Sequence, residues 1–153
     1  MSQLYTPALV ENVFYVGVRD RDRRLFDSLI PLPRGTTYNA YLVKDRETAL
    51  IDTVNPGFEQ ELEQRINQNH PLEELDYIVM NHAEPDHAGA IPYLMEKTAA
   101  KLVATKKGAE AAETYFRVPE DRLRVVGDNE TISLGSKTLR FIEAPMLHWP
   151  ETM

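Results

Sequence analysis

The stretch Asn81-His82-Ala83-Glu84-Pro85-Asp86-His87 places four metal-binding side chains, His82, Glu84, Asp86 and His87, within six residues. Imidazole nitrogens and carboxylate oxygens are ligands for first-row metals. On an extended chain His82, Glu84 and Asp86 would share one face, because the side-chain period of a strand is two. Local bending still lets the three converge. His87 then falls on the other side of the chain, which suits a second metal rather than a fourth ligand to the first. Pro85 stiffens the loop and reduces the entropy lost in organising it. Gly89 permits a close backbone approach where the next helix begins. A surface ion pair is the ordinary account of a histidine beside acids. It does not explain two carboxylates crowded behind an apolar strand, which without a cation would cost repulsion and desolvation.

The elements around this cluster must hold it. Residues 77–80 form a short apolar run between Asp76 and Asn81 and read as a buried strand, so the cluster hangs from a strand end, where α/β folds commonly bind ligands. Pro92 fits the first turn of a helix with Ile91, Leu94 and Met95 on one side. His148 lies between Pro145 and Pro150, in a loop those prolines fix; by itself it reads equally as a packed histidine or a fifth ligand. Trp149, the sole tryptophan, either packs this loop or walls off a dry metal pocket. Asp52 ends an apolar strand and reads as a cap or as a partner that orients a histidine, not as a ligand.

The rest of the chain alternates strands and helices, which points to sheet covered by helices. Residues 9–18, 36–43, 48–52, 101–104, 123–126 and 137–142 read as strands. Residues 19–24 read as a charged turn, and 44–47 and 127–129 as polar turns. Pro56-Gly57 leads into a helix with Phe58, Leu62 and Ile66 four apart, ending near Asn69-His70-Pro71. Residues 106–116 form another helix. His70 reads as a surface residue at a helix C-terminus.

Composition limits the chemistry. The chain of 153 residues has no cysteine, which excludes disulfides, thiolate zinc, iron–sulfur clusters and a cysteine nucleophile. Any metal is therefore held by nitrogen and oxygen. Three of the four histidines belong to the proposed site. A net charge of −7 offers no basic face to nucleic acid. No apolar run reaches the roughly 18 residues of a membrane span, and the opening residues lack the pattern of a signal peptide. The default location is cytoplasmic.

The run His82-x-Glu84-x-Asp86-His87 with His148, the phrases NHAEPDHAGAI and LHWPETM, the strand TALIDTV and the opening YNAYLV resemble the flavodiiron proteins. These are oxygen or nitric oxide reductases whose catalytic domain has the metallo-β-lactamase fold. The resemblance covers nearly the whole chain. It implies an α/β (α+β), αββα-sandwich domain over residues 1–153, of which this chain is the N-terminal half, with no flavodoxin-like domain. It implies two iron ions: His82, Glu84 and His148 would hold one, while Asp86 and His87 contribute to the other. A bridging aspartate and a further histidine would follow His148, beyond Met153. Electrons would come from FMN bound by the absent domain, in a head-to-tail homodimer fed by a rubredoxin-like or flavin donor.

Related zinc hydrolases have histidine where Glu84 stands. Glutamate is the harder, anionic ligand and stabilises ferric iron more than zinc. A binuclear zinc hydrolase of the same superfamily is the alternative, and an inactive fragment or interaction module the third reading. Oxygen and nitric oxide both remain open as substrate.

Overall fold

The computed structural model describes residues 5–153; the first four, part of the opening stretch read above for a signal peptide, lie outside the described residues. In chain order the strands are β1 (Ala8–Val10), β2 (Val13–Tyr15), β3 (Val18–Asp20), β4 (Leu25–Phe26), β5 (Ile30–Pro31), β6 (Thr36–Tyr38), β7 (Tyr41–Lys44), β8 (Thr48–Ile51), β9 (Tyr77–Val79), β10 (Lys101–Ala104), β11 (Leu123–Val125), β12 (Thr131–Ser133) and β13 (Thr138–Arg140). The helices are α1 (Glu59–Asn67), α2 (Pro85–Ala88), α3 (Ile91–Lys97) and α4 (Lys106–Phe116). One seven-stranded sheet has the order β1-β2-β7-β8-β9-β10-β11. Its first half is antiparallel, and β8 to β11 run parallel.

The register explains why the central strands are apolar on both sides. Leu50, Ile78 and Leu102 stand in line across β8, β9 and β10. They share a core with Leu62 and Ile66 of α1, Ile91 and Leu94 of α3 and Ala112 of α4. One residue along, Val79 and Val103 point to the opposite face, where Ile132, Leu134 and Phe141 of the β12–β13 hairpin cover them. Strands buried on both faces read as continuous hydrophobic runs, not alternating ones. A helix layer, a mixed sheet and a second small sheet packed on its far side thus match the fold class expected from the sequence.

The strands differ from the sequence expectation in several places, the short β4–β5 ribbon among them. Residues 9–18 break at Asn12, whose φ of 60° turns β1 back on β2, and again before β3. Residues 36–43 break at the matching point: β2 pairs with β7, but β3 pairs with β6 in a separate ribbon. At the break the amides of Val16 and Gly17 share the Ala40 carbonyl, at 2.9 and 3.1 Å. Apolar patterning runs through such a kink unchanged, so it leaves no mark in the sequence. β12 was hidden because Ile132 is its sole apolar residue. Residues 19–24, expected to be a turn, begin as the end of β3, and Asp20 then closes the turn by accepting the amides of Asp22 and Arg23 at 3.1 and 3.0 Å.

Candidate metal centre

Three parallel strands deliver the site. Asp52 follows β8, His82 follows β9 and Thr105 follows β10, all at the C-terminal edge of the sheet. Beyond β9 the chain bends at Asn81, Glu84 itself is extended (φ −66°, ψ 141°), and Pro85 then opens the single turn of α2. Proline at this position has its φ preset for a helix and has no N–H to leave unsatisfied. The amides of His87 and Ala88 both bond the Glu84 carbonyl at 2.9 Å. Asp86 and His87 therefore project from a helical turn. The shared strand face expected for His82, Glu84 and Asp86 is not kept, because the chain leaves the strand after Val79, bends at Asn81 and carries Asp86 on α2. Gly89 closes this helix rather than opening the next, and a Cβ there would lie 2.3 Å from the Pro56 ring, so the close approach expected of it is present.

His82, Glu84 and His148 converge. Each offers a donor atom, and the three atoms lie within 4.8 Å of one another. His82 Nε2 is 3.0 Å and His148 Nε2 3.4 Å from Glu84 Oε2. His82 is buried while His148 is exposed. Asp86 and His87 stand beside this trio but outside it, with His87 Nε2 3.7 Å from Asp86 Oδ2 and the rings of His82 and His87 5.4 Å apart. His70, read as a surface residue, bonds the Glu74 carbonyl at 3.1 Å away from the site.

Asp52 takes the orienting role. Its residue has φ 55°, and its carboxylate accepts the Asn81 amide at 2.8 Å and faces His87 Nδ1 at 3.3 Å. The hydrogen bond to Asp52 raises the His87 imidazole above its ordinary value against the effect of burial, and the charges of Asp52, Asp86 and Glu84 add to the rise. Asp86 has the opposite problem. Burial pushes its carboxyl up, His87 offsets part of that, and Glu84 adds to it. Its Oδ1 is buried without a hydrogen-bond partner among the described residues. A buried, unpartnered carboxylate oxygen next to a second carboxylate is costly, and a cation would satisfy it. The donor set thus fits a metal ion in both chemistry and placement.

Sequence reasoning missed Glu151. Its Oε1 accepts from the His82 ring at Nδ1 (2.8 Å) and from the Ala83 amide (3.0 Å). Burial alone would raise this carboxyl, but those hydrogen bonds hold it below its usual range. The available signal was a carboxylate three residues past a candidate ligand, directly after the proline that bounds its loop. Trp149 stands edge-on to His82 with ring centroids 4.9 Å apart, covering one side of that imidazole.

A helix-covered mixed sheet with an imidazole–carboxylate cluster at the ends of its parallel strands is a metallo-β-lactamase-like domain. The family described as ODP family beta lactamase matches residues 36–153, and the chain belongs to that family. A protein named nitric oxide reductase from Moorella thermoacetica is 40% identical over 148 residues, which is 95% of this chain and 37% of the relative. The solved structure of rubredoxin oxygen:oxidoreductase from Desulfovibrio gigas superposes with a TM-score of 0.92 at 38% identity, over 97% of this chain and 37% of that one. The flavodiiron protein from Giardia intestinalis gives a TM-score of 0.89 at 32% identity, over 97% of this chain and 36% of that one. The resemblance to flavodiiron proteins read from the motif is borne out. The chain spans little more than a third of the length of these relatives.

Proposed function

We propose that this chain is the metal-binding part of a flavodiiron-type oxidoreductase that reduces oxygen to water, nitric oxide to nitrous oxide, or both. The observation that carries the reading is Glu84 lying between His82 and His148, with His82 Nε2 3.0 Å away. His82, Glu84 and His148 would hold one iron, and Asp86 and His87 would contribute to a second. When bound, the irons supply the reducing electrons to the diatomic substrate. The protein's part is to fix and tune the ligands. Glu84 brings a negative charge that favours the ferric state. Asp52 holds His87 in place, and Trp149 keeps water from one face of His82. The names of the relatives from Moorella and Desulfovibrio support the substrates.

In this reading the electrons would come from FMN held by a flavodoxin-like domain outside residues 1–153, within a homodimer that a rubredoxin-like or flavin donor would supply. The protein works in the cytoplasm; no helix among the described residues is long and apolar enough to cross a membrane. The test is metal analysis of protein expressed with iron and zinc both available. Iron is expected to dominate. Zinc in its place would overturn the reading in favour of a zinc hydrolase of the same fold.

A further inference from the structure

Glu151 is one of few charged side chains withdrawn from solvent, with its side chain 6% exposed. Four bonds fix its place before its carboxylate does anything. The Glu151 carbonyl accepts Thr105 Oγ1 at 3.0 Å, and Thr105 in turn caps α4 through the Gly108 amide at 3.1 Å. The Met153 amide bonds the Asn81 carbonyl at 3.1 Å, and the Ala144 amide bonds the Thr152 carbonyl at 2.9 Å. The segment carrying His148 is thereby closed on itself and stitched to the ends of β9 and β10. From that anchored position Oε1 meets both His82 Nδ1 and the Ala83 amide.

An imidazole has two nitrogens, and a hydrogen bond at one fixes which is left for a ligand role. With Nδ1–H donated to Glu151, Nε2 is the atom turned toward Glu84 and His148. We propose that Glu151 is a positioning residue of the metal site, locking the ring orientation and tautomer of His82. This rests on the metal-binding reading above. It also makes one segment, 144–153, responsible for two things at once: it delivers His148, and it sets the angle at which His82 meets the same ion. His87 receives the equivalent service from a different strand end, through Asp52.

The test uses cobalt(II) as a spectroscopic probe and the Nδ1–H proton of His82, followed by NMR in ¹⁵N-labelled, metal-free protein. Glu151→Ala is expected to weaken cobalt binding about 10- to 100-fold and to lose the exchange-protected Nδ1–H signal. Glu151→Gln, whose amide oxygen accepts both bonds, is expected to keep that signal and recover most of the affinity. An Nδ1–H signal that survives in Glu151→Ala, or cobalt affinity unchanged in that variant, overturns the proposal. If the wild-type protein binds cobalt no better than Glu84→Ala, the metal reading fails instead, while the His82 proton still decides the role of Glu151.

Discussion

Asp52 Oδ2 lies 3.3 Å from His87 Nδ1, and Oδ1 of the same carboxylate holds the backbone amide of Asn81 at 2.8 Å. One side chain at the end of β8 thus fixes the first residue of the ligand loop and its last histidine. Asp52→Ala removes these bonds and the one from Asn81 Nδ2 at 3.2 Å, and it orphans a part-buried backbone amide, which costs about 1–3 kcal/mol. Asp52→Asn tolerates the left-handed backbone and keeps a carbonyl for Asn81, so its stability loss should be much smaller. Its amide nitrogen, however, turns a donor toward His87. Urea unfolding of the two variants checks the order, and equal losses would show that the amide bond is not what Asp52 contributes.

Asp86 is expected to be a liability in the metal-free protein. Its buried, unpartnered Oδ1 beside Glu84 is stabilising only when a cation is bound. Asp86→Asn should therefore stabilise the metal-free chain by about 1 kcal/mol while shrinking the rise in Tm that added iron or cobalt produces. Thermal melts with and without metal measure both effects. A lower Tm for the metal-free variant would mean that Asp86 is held by interactions within the protein.

How much of this was legible in the sequence depended on the kind of signal. Four of the ligands were legible because His82, Glu84, Asp86 and His87 lie within six residues and stay close whether the backbone carries them as strand or helical turn; His148 joined them only through the family resemblance. α1 was legible because Leu62 and Ile66 repeat at helical spacing after Pro56-Gly57. Glu151 was not legible, since its role comes from a contact 69 residues away in the chain, and a lone glutamate in a loop is ordinarily solvated. The division of residues 9–18 and 36–43 between two sheets was hidden for a related reason: it is decided by which strand pairs with which, while the apolar pattern stays continuous.

Glu84→His converts the ligand run to the histidine-rich form of the related zinc hydrolases. Removing the anionic oxygen lowers the preference for a ferric ion. The variant expressed with both metals present is expected to gain zinc at the expense of iron, and its remaining iron should have a more positive potential. Metal analysis and a redox titration check this. Unchanged selectivity would show that Glu84 is not the determinant of metal identity.

Asp45 ties two turns together at the far edge of the sheet. Its Oδ2 accepts Ser136 Oγ at 2.7 Å and the Lys137 amide at 2.6 Å, and Oδ1 accepts the Arg46 amide at 2.9 Å. The hydrogen bond from Ser136, opposed by desolvation and reinforced by the Lys137 and Arg46 amides, lowers its carboxyl from 3.8 to about 2. A depressed folded value means the stabilisation is complete above the unfolded value near 4 and disappears as pH falls through about 2. Asp45→Asn should therefore cost stability at neutral pH and flatten the loss of stability between about pH 4 and pH 2. Denaturation curves across that range test it; parallel acid limbs for the two proteins would remove Asp45 from the account.

Gly89 tests whether the helical turn holding Asp86 and His87 must sit where it does. Its φ of −63° is ordinary for any residue, so backbone freedom is not the reason for glycine. Space is: a Cβ would lie 2.3 Å from Pro56 Cδ and 2.5 Å from the Pro85 carbonyl oxygen. One neighbour is a ring and the other is backbone, so neither yields easily. Alanine in a helix would ordinarily gain about 1 kcal/mol over glycine, but overpacking costs about 1–3 kcal/mol, and the clash should win. Relief requires α2 to move off Pro56, carrying Asp86 and His87 with it, so Gly89→Ala is expected to lose both stability and metal affinity. Gly57→Ala is the control. Its Cβ meets nothing within 4 Å, so the cost is the backbone strain of φ 96°, and metal binding should be preserved. If Gly89→Ala binds metal as tightly as the control, the position of α2 is not what sets the geometry of the second pair of ligands.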